Sequence, residues 1–73
     1  MNKIRTQDIV REIFHKTNGI LTVSQIYKYV YEQRERITNF PNDYKHDVRR
    51  VLYVMKKNNE ILNVDKGSYK KAV

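Results

Sequence analysis

Between Tyr44 and Met55, the residues Tyr44, Val48, Val51, Leu52 and Met55 recur at i, i+4, i+7, i+8 and i+11. An extended strand alternates faces at every residue and cannot place these five on one side, whereas a helix gathers them into one stripe. The stretch from Asn42 to Glu60 is therefore expected to be a helix that buries one face, over about residues 43–59, and the rest of the chain must supply the core beneath it. On the opposite side, at about 100° per residue, lie Asn42, His46, Arg49, Arg50, Tyr53 and Lys57, with Lys45 and Lys56 on one shoulder. That side is basic and rich in hydrogen-bonding groups.

Two further helices precede this one. Thr6 is a candidate N-cap for a first helix over about residues 7–17, with Ile9, Val10, Ile13 and Phe14 at helical spacing and Asn18-Gly19 as a left-handed C-terminal pair. Ile20 and Leu21 form a very short extended piece. Thr22 and Gln25 then make a Thr-x-x-Gln capping box that opens a second helix, over about residues 23–36. Val23, Ile26, Tyr27 and Val30 form its buried stripe with Tyr31 at the margin, while Lys28, Tyr29, Glu32, Gln33 and Glu35 lie outside or beside it. Pro41 holds Phe40 extended and forces a turn before the third helix, with Phe40 expected as a core plug beneath that turn. Beyond the third helix, Glu60-Ile-Leu-Asn-Val and Ser68-Tyr-Lys-Lys-Ala-Val are short strand-like runs flanking Asp65-Lys66-Gly67. They predict a hairpin over about residues 60–73 with glycine at its turn. The expected core sets Val48, Val51, Leu52 and Met55 against Ile9, Ile13, Phe14, Ile26 and Val30, with Leu62 or Val64 and Tyr69 closing the base of the hairpin.

The 73 residues form one small unit with a modest core and little room for a deep pocket. There is no cysteine, so disulfides, thiolate nucleophiles and cysteine-based zinc sites are excluded. The charged N-terminal residues run into polar ones without an apolar leader, and the longest apolar run is Val51 to Met55, which leads us to expect a soluble, cytoplasmic protein with no membrane partner. His15 and His46 sit on different helices, each without a histidine or carboxylate at i+3 or i+4. His15 reads as a helix-end surface residue. Glu32 and Glu35 lie on a solvated flank, and Gly19 and Gly67 are isolated turn residues rather than a phosphate-cradling loop. No catalysis, metal or cofactor is expected.

The formal net charge of +7 is uneven: residues 1–43 hold seven Lys/Arg against five Asp/Glu, and residues 44–73 hold eight against three. Such a field attracts phosphate polyanions. The basic helix commits its apolar stripe to the core rather than to lipid, so nucleic acid is the expected partner. No heptad extension or spare helix is left for a dimer seam, and a monomer or weak homodimer is expected.

An α+β fold, mainly helical, with a short strand between the first two helices and a closing hairpin, is similar to the winged helix-turn-helix domains over nearly the whole chain. The closest likeness is to the small HARE-HTH type. The residues that carry it are Gly19-Ile-Leu-Thr22 leading into Ile26-Tyr27, Val48-Arg-Arg-Val-Leu52, Asn59-Glu-Ile61 and Val64-x-x-Gly67-x-Tyr69. The chain departs from that type at Phe40-Pro41, and it is expected to stand as a module on its own, where that type is usually an accessory to a larger protein. The resemblance implies a DNA-binding transcriptional regulator or architectural factor, with the third helix in the major groove and the hairpin wing on the backbone.

A helix fits the major groove, where Arg pairs with guanine O6 and N7 and Asn with adenine. Arg49 and Arg50 are the first choice for groove contacts, and Asn42 and Lys45 stand where a recognition helix meets bases or flanking phosphates. His46 is either a solvated residue or a contact to base or phosphate. Tyr53 either donates to a phosphate or lies over its neighbours, and Lys57 reaches the backbone. In the hairpin, Lys66, Ser68, Lys70 and Lys71 either reach phosphates or the minor groove or blunt an exposed edge strand. The other reading is a protein-binding adaptor that uses Tyr29 and Tyr31 on the second helix as aromatic anchors.

Overall fold

A computed structural model describes residues 3–72. In chain order it contains α1 (Thr6–Lys16), β1 (Leu21–Thr22), α2 (Val23–Glu32), a 3-10 turn (Arg34–Arg36), α3 (Tyr44–Lys57), β2 (Ile61–Asp65) and β3 (Ser68–Lys71). The strands form one antiparallel sheet in the order β1-β3-β2, so the fold is α+β.

In α1, Ile9, Val10, Ile13 and Phe14 are all buried, which is what their spacing demands. Thr6 is not the cap. It lies inside the first turn and is 5% exposed, while Arg5 takes the cap position and its backbone N–H donates to Asp8 Oδ2 at 3.1 Å. The N–H that a cap hydroxyl would accept, that of Asp8, donates instead to the Arg5 carbonyl at 3.0 Å, so no hydroxyl is needed at the cap. The helix also stops without a left-handed glycine. Its last N–H, from Thr17, donates to Ile13 O at 3.1 Å, and Thr17 itself is extended. The left-handed residues among those described are Asn39, Asn59 and Gly67, not Gly19. The chain leaves α1 extended because it must reach β1 within a few residues and pair Leu21 with Tyr69 of the central strand.

Thr22 ends β1 and begins α2. Its N–H donates to Gln25 Oε1 at 2.8 Å and its hydroxyl accepts from Gln25 N–H at 3.2 Å, which completes the capping box. The α-helix closes at Glu32, short of the expected residue 36, and tightens into the 3-10 turn. That turn brings Ile37 into the core. Ile4 N–H donates to Arg36 O at 2.8 Å and Thr38 N–H to Ile4 O at 2.9 Å, forming a parallel bridge that buries Ile37, which lies between the second and third expected helices. Phe40 is half-buried and packs against Tyr31 and Tyr44, with ring centroids 6.3 and 5.2 Å away.

Along α3, Val48, Leu52 and Met55 are buried and Tyr44 and Val51 are half-buried. Its C-terminus is a Schellman turn with asparagine as the left-handed residue: Asn59 N–H donates to Lys56 O at 3.1 Å and Glu60 N–H to Met55 O at 2.8 Å. This sets the phase of β2. Ile61, 1% exposed, enters the core, while Leu62 and Val64 are 46% and 39% exposed, so neither of the two residues expected to close the hairpin base does so. Tyr69 is half-buried against the core between Leu21 and Asn63. Gly67, at φ +72°, turns the hairpin, and its carbonyl accepts from Val23 N–H at 2.8 Å, tying the turn to the start of α2.

Two ion pairs brace α1. Arg11 holds Glu60 through the Nε–Nη2 edge of its guanidinium, Nε–Oε1 at 2.9 Å and Nη2–Oε2 at 3.1 Å, and Arg36 Nη1 lies 2.8 Å from Glu12 Oε2. The hydrogen bond from Arg36 lowers the Glu12 carboxyl from its usual value, and the bond from Arg11 does the same for Glu60. A carboxylate with a depressed folded-state pKa contributes stability that is present above the ordinary glutamate value, about pH 4.3, and disappears as pH falls through the lower folded value. Thermal melts are thus expected to hold steady down to about pH 4.3 and then fall on acidification. A Glu12→Gln, Glu60→Gln double variant should lose part of that acid-side slope. An unchanged slope would show that neither pair contributes.

Candidate nucleic-acid interface

The outward face of α3 divides into a centre and two shoulders. Helical rotation sets His46, Tyr53 and Lys57 at the centre, with Asn42 just before the first turn. All are exposed, and Tyr53, at 66%, is more open than any other large hydrophobic residue among those described. Lys45, Arg49 and Lys56 occupy the shoulder toward α2. Arg49 Nη1 donates to the hydroxyl of Tyr27 at 3.2 Å, and Lys45 Nζ stands 5.5 Å from the centre of the same ring. Tyr27 in turn meets Tyr44 edge to face, with centroids 6.5 Å apart.

The other shoulder faces α1. Here Arg50 Nη2 is bonded to Asp47 Oδ1, one turn back, and the two residues share an open hollow of about 670 Å³ with Asp43, His46 and Arg5. Among the described residues this is the one ion pair that involves an outward cation of α3. Arg49 and Arg50, equivalent in the sequence, therefore stand in opposite electrostatic surroundings. Successive helical residues are about 100° apart, and the two lie on either side of the outward direction.

The hairpin residues separate as well. Lys66 is exposed at the turn. Lys70 pairs with Leu62 and is exposed, whereas Lys71 pairs with the buried Ile61 and so lies on the other face. There Lys71 lines a shallow hollow with His15, Phe14, Arg11 and Glu60 on the α1 side. Ser68 is half-buried in the central strand, and its carbonyl accepts from Asn63 Nδ2 at 2.8 Å. Lys66 and Lys70 thus remain as the outward cations of the hairpin.

The chain matches no family model, no curated protein and no solved structure. Its own geometry must carry the functional reading. No helix among the described residues is long and apolar enough to cross a membrane. On α2, Tyr29 is not an exposed anchor: it is half-buried, and its hydroxyl accepts from Lys16 Nζ at 3.2 Å. Residues two apart on a helix point about 200° away from each other, so Tyr29 faces α1 while Tyr31 faces α3. Tyr31 is covered in part by the Arg34 guanidinium, 4.2 Å from its ring centre. The two tyrosines do not make one patch.

Tyr27 and Asp47 are the residues of this face that sequence reasoning left out. Tyr27 was assigned to the core stripe, and half of it does lie there. Asp47 stands three residues before Arg50, a spacing that was available as a sign of pairing. Among the described residues, the hollow beside α3 is open rather than enclosed. The surface offers a convex helix with an array of cations and hydrogen-bonding groups, suited to a polyanion with a groove.

Proposed function

We propose that this chain is a winged-helix module that binds double-stranded DNA without performing chemistry, acting in the cytoplasm as a transcriptional regulator or architectural factor. In this reading α3 enters the major groove and the β2–β3 hairpin is the wing on the phosphate backbone. The observation that carries it is the coincidence of cations that pair with no carboxylate among the described residues, Lys45, Arg49, Lys56 and Lys57 on α3 with Lys66 and Lys70 on the hairpin, on the two elements such a module uses. The element order and the strand order β1-β3-β2 support the same reading. The centre of the α3 face, Asn42, His46 and Tyr53, is assigned to base edges and the shoulder toward α2 to phosphates.

A salt titration on random duplex tests this. Affinity should fall linearly on a log–log plot, with a slope of about −0.9 for each phosphate neutralised. Lys66→Ala and Lys70→Ala should each flatten the slope by about 0.9 on random and selected duplexes alike, because phosphate contacts carry no base information. Lys71→Ala should leave it nearly unchanged. Binding that does not respond to salt would remove DNA from the account.

A further inference from the structure

We infer that the two adjacent arginines of α3 have opposite roles on DNA: Tyr27 aims Arg49 and Lys45 as a two-cation clamp for a phosphodiester, while Asp47 holds Arg50 out of contact and so restrains binding to duplexes in general. This rests on the DNA reading and names the part of the surface that takes the backbone.

Tyr27 reaches the α2-side shoulder with both of its chemical faces. Its hydroxyl accepts from Arg49 Nη1 at 3.2 Å, and its ring lies 5.5 Å from Lys45 Nζ. Both interactions are with a neutral group, so they orient the two cations without cancelling their charge, and the guanidinium keeps its other N–H donors for a phosphate. The ring is itself fixed by its edge-to-face contact with Tyr44 and by half-burial against the core. On the opposite shoulder, the Arg50–Asp47 pair is neutral and Asp43 lines the same hollow. A phosphate approaching there would have to displace one carboxylate and lie near a second. Asp47 is a positioning residue acting through Arg50, as Tyr27 acts through Arg49 and Lys45.

The experiment is a salt titration on random duplex for single and paired variants, with a thermal melt of each to confirm folding. Arg49→Ala should weaken binding about 8-fold near 0.1 M salt and flatten the log–log slope by about 0.9, the effect of one lost phosphate contact. Arg50→Ala should change little. Asp47→Asn should tighten binding by up to about 8-fold and steepen the slope by up to about 0.9, and this gain should vanish when Arg50→Ala is added. Tyr27→Phe, which keeps the ring, should weaken binding in the parent but not in the Arg49→Ala background, a dependence that a merely structural role would not produce. Equal losses for the two arginines, no gain from Asp47→Asn, or an additive Tyr27→Phe effect would each overturn the inference while leaving DNA binding in place. A parent chain that shows no salt-dependent retention of duplex would overturn both.

Discussion

Leu52→Ala is expected to destabilise the fold by about 2–5 kcal/mol, enough to unfold a domain of this size near physiological temperature. Leu52 is 2% exposed in the middle of α3, within the single cluster that also holds Ile9, Ile13, Ile26 and Val30. Truncation removes the transfer free energy of the lost carbons and leaves a void that three helices and a sheet cannot all collapse into at once. A chain of 73 residues has little reserve, since it buries only about 60% of the surface its unfolded form exposes. Val51→Ala, one residue earlier and half-buried, should cost much less. Urea and thermal melts of the two variants decide the matter, and a Leu52→Ala protein as stable as its parent would place that side chain outside the core.

The second large effect is in the hairpin. Ile61→Ala should cost about 2–5 kcal/mol, whereas Leu62→Ala, next to it, should fall within about 0.5 kcal/mol of the parent as a surface change. Ile61 plugs the core from the first position of β2 and is set there by the Schellman turn and by the Arg11–Glu60 pair immediately before it. Leu62 points the other way, beside Lys70. Because strand residues alternate faces, a slip of one residue would exchange their roles. Urea denaturation of both variants reads the register directly. A larger loss for Leu62→Ala than for Ile61→Ala would mean that the hairpin pairs one residue out of step.

Much of this architecture is legible in local patterns. The stripes of α1 and α3, the Thr22–Gln25 capping box and the glycine turn at Gly67 each depend on residues within one or two turns of each other, so spacing is sufficient to identify them. The outward face of α3 follows from the same period. Errors begin where two local solutions compete. Thr6 and Arg5 could both precede α1, and Asp8 decided between them by accepting from the Arg5 N–H. Asn18-Gly19 has the composition of a left-handed helix stop, yet Thr17 leaves the helix extended and the pair only bends the chain toward β1. In β2, Leu62 and Val64 alternate with Asn63 and Asp65 and so mimic an inward face, while the core is filled by Ile61 alone, one residue out of that phase.

The sequence alone determined which surfaces must be covered, because helical periodicity is a property of the chain and apolar stripes must leave water wherever they find a partner. It also determined that the positive charge concentrates in the last thirty residues. Only the tertiary structure decided which partner each group meets. Ile4 and Ile37 are brought together across more than thirty positions, Tyr27 is placed under Arg49 and Lys45, and Lys70 and Lys71 are set on opposite faces by their pairing with Leu62 and Ile61. The physical reason is that a cation's environment depends on Coulomb terms and hydrogen bonds that act over a few ångströms in space, and sequence separation does not measure that distance.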